Sequence, residues 1–261
     1  MPKNYPFNRS LFIDSSNLEE IKKWNSTRVI DGVTTNQVIM LEDGLRFSEV
    51  EKVIKKICLE MKDKPVSVEL TDSTASVSEM IKEAKRLDRF NKNVVIKVPL
   101  IPNTTKSLQV IKELSNLGMA INVTAIMTFE QMVLAALATR NCKRPSFISL
   151  FWGRSMEDQV KYRGRFDFMA DFKRVGLDSR VNDDPTNIVT AVSSFLQQGN
   201  YNNPKIIVGS IRTATMVGEA FAAGANIVTT TPEILYSMLF SQRTIETIEQ
   251  FDEAWKKLQK K

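Results

Sequence analysis

The feature that most constrains this chain is an alternation repeated eight times, in which a short apolar run is followed by a stretch whose apolar residues recur at helical spacing. The runs are Leu11–Ser16, Val29–Asn36, Val66–Leu70, Val94–Leu100, Ala120–Met127, Phe147–Trp152, Lys205–Ser210 and Asn226–Thr231. In a run such as Val94-Val95-Ile96 consecutive positions are apolar, so both faces need cover, as in a parallel strand packed between helices. Eight βα units in 261 residues fit the roughly 250 residues typical of a (β/α)8 (TIM) barrel. Periodicity alone does not show closure, and a doubly wound open sheet uses the same alternation. The expectation is one barrel domain spanning residues 1–261.

Two segments exceed a minimal barrel. Ser155 to Pro185, after the sixth run, is long, charged and interleaved with Tyr162, Phe166, Phe168 and Phe172, which reads as an insertion packing over one barrel end. Residues 243–261 form an extra C-terminal helix, with Ile245, Ile248, Phe251, Trp255 and Leu258 on one stripe. Such a stripe docks either on its own barrel or on a neighbouring subunit.

Composition narrows the chemistry. With no histidine, a Ser-His-Asp triad and the common His-containing zinc sites are excluded, and base chemistry falls to carboxylate, lysine or tyrosine. Two cysteines, Cys58 and Cys142, form neither a disulfide framework nor a metal cluster, and no Gly-x-Gly-x-x-Gly run follows a strand. No metal or nicotinamide cofactor is therefore expected. The net charge of +6 is modest, and the basic residues are spread among glutamates, as in Ile81 to Arg89, rather than gathered in a stripe. That argues against a nucleic-acid partner and suits an anionic small substrate. No signal-peptide core and no apolar run of membrane length is present, so a cytoplasmic protein with no membrane partner is expected.

A strand buried on both faces should be apolar unless a polar side chain has a task. Here Asp14 ends the first strand, Thr34 and Asn36 the second and Glu69 the third. Lys97 lies in the fourth, Asn122 and Thr124 in the fifth, Ser149 in the sixth, and Ser210 and Arg212 follow the seventh. Counting in twos puts Lys97 on the same side as Val95 and opposite Ile96 and Val98. Strand C-terminal ends converge on one barrel face, so residues far apart in sequence would line one pocket. Each has a plainer reading. Asp14 can be a helix N-cap, Lys97 a structural partner of Glu69, Thr34 to Asn36 a turn, and Arg154 and Arg212 surface arginines. Those readings leave the shared position at strand ends unexplained.

Six segments carry a resemblance. Leu11-Phe12-Ile13-Asp14-Ser15-Ser16-Asn17, Ile30-Asp31-Gly32-Val33-Thr34-Thr35-Asn36, Val94-Val95-Ile96-Lys97-Val98-Pro99, Ile121-Asn122-Val123-Thr124, Ser149-Leu150-Phe151-Trp152-Gly153-Arg154 and Gly209-Ser210-Ile211-Arg212 resemble the transaldolase family in its order. The match runs from about Leu11 to the C-terminal helix, apart from the Ser155–Pro185 insertion. The chain is similar to the small transaldolase-like and fructose-6-phosphate-aldolase-like branch.

The resemblance implies a Schiff-base enzyme acting on sugar phosphates, of which pentose-phosphate intermediates are the usual ones. Lys97 would be the nucleophile, and burial favours its neutral amine. Asp14 would be the base, Glu69 and Thr124 would hold the water of imine formation, and Thr34, Asn36, Asn122, Ser149 and Phe151 would shape the substrate site. Arg154, Ser210 and Arg212 would bind phosphate. The branch's homo-oligomers, pentamers and decamers, assemble through the terminal helix. Departures lie beside the pocket: Gln37 and Leu150 stand where the family commonly has proline, and Trp152 replaces a smaller residue. Glu69 and Phe151 match transaldolases, whereas the aldolases resemble glutamine and tyrosine there. Non-catalytic sugar-phosphate binding remains as a further alternative, although Lys97, Asp14 and Glu69 are all present.

Overall fold

The computed structural model describes residues 7–163 and 184–260. Its strands are β1 (Ser10–Asp14), β2 (Ile30–Thr34), β3 (Val66–Glu69), β4 (Val94–Pro99), β5 (Ile121–Ile126), β6 (Ser146–Phe151), β7 (Pro204–Gly209) and β8 (Ile227–Thr230). All neighbours pair in parallel, and β1 pairs with both β2 and β8, so the sheet is a closed barrel in sequence order. Closure excludes the open doubly wound sheet. Helices α1 (Leu18–Ser26), α2 (Gln37–Glu42), α3 (Val50–Met61), α4 (Val77–Asp88), α5 (Lys106–Asn116) and α6 (Phe129–Thr139) follow the first five strands, a 3₁₀ turn at Phe47–Glu49 joining α2 to α3. Then come α7 (Trp152–Arg163), α8 (Pro185–Gln198), α9 (Ala214–Ala223), α10 (Pro232–Ser237) and α11 (Gln242–Leu258).

Each strand sends alternate side chains outward and inward. Outward residues such as Ile13, Val33, Ile96, Val98 and Ile148 join the helices in one large core. Inward residues form a separate cluster of Phe7, Phe12, Val95, Ala120, Phe147, Ile207 and Ile227. Phe7, Phe12 and Phe147 meet edge to face, with centroids 5.3 to 6.0 Å apart, and close the lower lumen. Gly32 is required there, because an added Cβ would stand 2.5 Å from the Phe12 ring.

Several helix starts are capped by their own side chains. Ser76 with Glu79 and Thr128 with Gln131 form capping boxes at α4 and α6, and Asn17 caps α1. Asp14 is therefore not the α1 cap. The insertion expected at Ser155–Pro185 begins inside α7, and its residues 164–183 lie outside the described residues. Helix α11 has no buried residue, and Phe251 and Trp255 on its apolar stripe are 67% and 62% exposed, so the stripe is not docked on the described barrel. No helix among the described residues is long and apolar enough to cross a membrane.

Candidate active site

At the C-terminal end of the strands, above the phenylalanine plug, lies a cavity of about 310 Å³. Asp14, Thr34, Asn36, Glu69, Lys97, Thr124, Ser149, Phe151, Arg154, Ser210 and Arg212 all line it. Of the residues expected from the sequence, only Asn122 does not. It is fully buried just below, where it accepts from Ser149 Oγ at 2.6 Å and donates from Nδ2 to Ser67 Oγ at 3.2 Å. Asn122 thus fixes Ser149 from beneath.

Period two explains the clustering. Two residues beyond Phe12, Val95 and Phe147 on the same inner face come Asp14, Lys97 and Ser149. Lys97 is 4% exposed; its Nζ donates to the Thr35 carbonyl at 3.0 Å and pairs with Glu69 Oε2 at 3.1 Å. The ion pair weighed as a plain structural feature therefore exists, and it stands inside the cavity.

Asp14 Oδ1 accepts from Thr34 Oγ1 at 2.7 Å. Burial pushes the Asp14 carboxyl above the ordinary carboxylate range, and the nearby Lys97 charge and the Thr34 hydrogen bond oppose that rise. The loop after Asp14 is clamped by Asp43, whose Oδ2 accepts from Ser16 N at 2.6 Å, Ser16 Oγ at 2.8 Å and Ser15 Oγ at 3.2 Å. Asn36 has two places at once. Its Oδ1 caps α2 by accepting from Ile39 N at 3.0 Å, while the residue lines the cavity. Gln37 opens α2 and donates Nε2 to the Leu70 carbonyl at 3.0 Å, and Leu150 and Trp152 are buried away from the substrate face.

At the other end of the cavity β6 and β7 are drawn together by Gly153. Its N–H donates to the Ser210 carbonyl at 2.9 Å, and any side chain at position 153 would strike that carbonyl and the Arg212 side chain. Arg154 is exposed, with its guanidinium carbon 6.0 Å from the Phe151 ring centroid. Arg212 Nε pairs with Glu157 at 3.0 Å. Two cationic groups, Arg154 and Arg212, thus line one end of the cavity, the arrangement that suits an anion. Ser210 and Ala125, both at the cavity wall, adopt left-handed backbone (φ 60° and 59°), Ala125 at the point where the β5–β6 register shifts.

The hydroxyls of Thr124, Ser210 and Thr230 are buried without a partner among the described residues. Buried polar groups normally have one, and all three residues line the cavity. No cluster of His, Cys, Asp and Glu among the described residues has the grouping of a metal site.

The sequence reading missed Thr229 and Thr230 of β8 and Thr231 just after it, which line the cavity. Their signal was available: three hydroxyls end the last strand, where a barrel places its site.

A family model for transaldolase/fructose-6-phosphate aldolase matches residues 11–261. The chain belongs to the transaldolase/fructose-6-phosphate aldolase family. It is 34% identical over 249 residues to a probable transaldolase of Clostridium tetani, covering 95% of this chain and 99% of that protein. To the probable transaldolase of Moorella thermoacetica it is 33% identical over 251 residues, covering 96% and 99%. Among solved structures, a dihydrodipicolinate synthase from Thermotoga maritima superposes with a TM-score of 0.58 at 12% identity, covering 98% of this chain and 82% of that one. That likeness is one of fold. The family membership makes the chain an enzyme of the aldolase and transaldolase kind.

Proposed function

We propose that this family member is a Schiff-base transaldolase that moves a dihydroxyacetone unit from a ketose phosphate to an aldose phosphate. The observation that carries the reading is a lysine sealed in the barrel lumen, Lys97, with a carboxylate at 3.1 Å and a second carboxylate, Asp14, in the same cavity. A lysine with no path to solvent except through the cavity can react only with what the cavity holds.

Glu69 is placed to take a proton from the ammonium, leaving the Lys97 amine to attack the ketose carbonyl carbon. A C–N bond forms and water leaves, and Glu69 with the free Thr124 hydroxyl manages that water. The protonated imine then draws electrons from the C3–C4 bond. Asp14 takes the C4-hydroxyl proton, the C3–C4 bond breaks, and its electron pair ends in an enamine on Lys97 while the aldose departs. Asn36 Nδ2, Ser149 and Thr230 orient the three-carbon unit. Arg154, Ser210 and Arg212 bind the phosphate, for which Arg212 exchanges or shares its Glu157 partner. The exposed stripe of α11 supports a homo-oligomer, pentamer or decamer, built through that helix, and the whole is expected to work in the cytoplasm without metal or nicotinamide.

The family also holds aldolases that release free dihydroxyacetone, so lysis is the second reading. Phe151 supports transfer, since it has no proton to give to the enamine, and Glu69 points the same way. The test is to measure free dihydroxyacetone from a ketose phosphate with and without an aldose phosphate acceptor. Transfer is expected to exceed release by at least ~10-fold, and Phe151→Tyr, which supplies a proton donor, to raise the released share. Stoichiometric release without acceptor, at the full transfer rate, would move the protein to the aldolase side; no cleavage of any ketose phosphate would reject both readings.

A further inference from the structure

Behind Asp14 stand two hydroxyls in line. Thr34 Oγ1 is 2.7 Å from Asp14 Oδ1 and 2.6 Å from Thr229 Oγ1, and both threonines are buried. Either threonine oxygen of that second pair has the geometry to donate, but proton counting decides between them. An ionised carboxylate only accepts, and the Thr34 hydroxyl has one proton, which therefore goes to Asp14. Thr34 is left with lone pairs alone toward β8, so Thr229 must be the donor. The chain of bonds runs Thr229 to Thr34 to Asp14 and crosses β8, β2 and β1 at the seam where the barrel closes.

We propose that Thr229 is a positioning residue for the reaction: by donating to Thr34 it commits the only Thr34 proton to Asp14 Oδ1 and leaves Oδ2 as the oxygen that accepts the sugar hydroxyl proton. Asp14 Oδ2 has no hydrogen bond to another described residue, which agrees with that division of labour. Each bond in such a chain polarises the next, so the outer hydroxyl strengthens the inner bond without touching the carboxylate. This inference rests on the role given to Asp14 above.

The charged groups facing Asp14 are Lys97 from β4, which favours the carboxylate, and Glu69 from β3 and Asp43 after α2, which oppose it together with burial. The Thr34 hydrogen bond stands second to Lys97 among the influences that favour the carboxylate. Because the base works ionised, turnover rises with pH through the Asp14 titration. Anything that weakens the chain makes the carboxylate harder to form and moves that limb to higher pH.

The experiment compares wild type, Thr229→Val and Thr229→Ser. Valine keeps the branched shape and removes only the hydroxyl, and serine restores it. Borohydride reduction with fructose 6-phosphate first reports whether Lys97 is labelled in each. The kcat/KM profile is then followed against pH. For Thr229→Val the acid limb is expected to move up by about half a pH unit or more. Its kcat should fall about 5-fold while KM stays within about twofold. Thr229→Ser should return both to near wild type. A valine variant whose limb and kcat match wild type would overturn the proposal. So would a serine variant as impaired as valine, since that would make packing rather than the hydroxyl responsible. Absence of label at Lys97 in wild type is a different failure: it removes the Schiff-base reading itself, and this proposal with it.

Discussion

The lumen of the barrel has two levels built by the same strands, and they differ completely in chemistry. The lower level is Phe12, Val95, Ala120, Phe147 and Ile227, all apolar and closed by Phe7. Two residues further along the same strands stand Asp14, Lys97, Asn122, Ser149 and Thr229. A two-residue step is only ~7 Å. A single period-two pattern thus places an apolar plug under a polar layer. The plug contributes burial and edge-to-face contacts, whereas the upper level buries charges and hydroxyls around the cavity. Lys97 and Glu69 illustrate the cost: taking two charges out of water is repaid only by close geometry, and hydrophobic replacements are often neutral or stabilising.

The comparison is sharpest if the two levels can be broken separately. The largest effect expected is on rate, from the upper level. Lys97→Met should lower turnover by at least ~10³-fold, since it removes the covalent nucleophile. The barrel should survive, because Glu69 is 15% exposed and its carboxylate can meet water in the cavity once its partner is gone. Steady-state kinetics with circular dichroism checks both halves. A variant that unfolds would tie the upper level to the fold, and one that keeps near-normal activity would remove Lys97 from the mechanism. The smaller effect belongs to the lower level. Phe147→Ala opens a hole in the phenylalanine plug and should cost ~3–5 kcal/mol in denaturant unfolding. In native buffer its kcat is expected to stay within about threefold of wild type. An activity loss as great as that of Lys97→Met would show that the two levels are not separable.

Much of this was legible in advance, for a physical reason. Strands covered on both faces must be apolar, so eight such runs mark eight strands, and most of the polar exceptions within them line one cavity. What failed were ends and cross-strand relations. The second strand was expected to run to Asn36 but stops at Thr34, because Asn36 turns its side chain to cap α2. Helix α2 and the following 3₁₀ turn did not stand out, being too short for a helical period to show. Asn122 was expected to touch substrate, but its amide is taken up by Ser67 and Ser149 beneath the cavity and does not line it. The bond between Thr34 and Thr229 joins residues 195 apart and exists only because β8 closes against β1. No local pattern encodes that contact. The signal for the β8 threonines was composition at a strand end, weaker than a lysine in the middle of an apolar run.

The central claim, that the upper level works through a covalent bond to one lysine, is tested most directly by trapping. The intact protein would be incubated with fructose 6-phosphate and reduced with borohydride, and its peptides mapped by mass. The account predicts a single stable adduct of the three-carbon unit on Lys97, absent when the substrate is omitted and absent in Lys97→Met. An adduct on another lysine, or full turnover with no adduct formed, would contradict it.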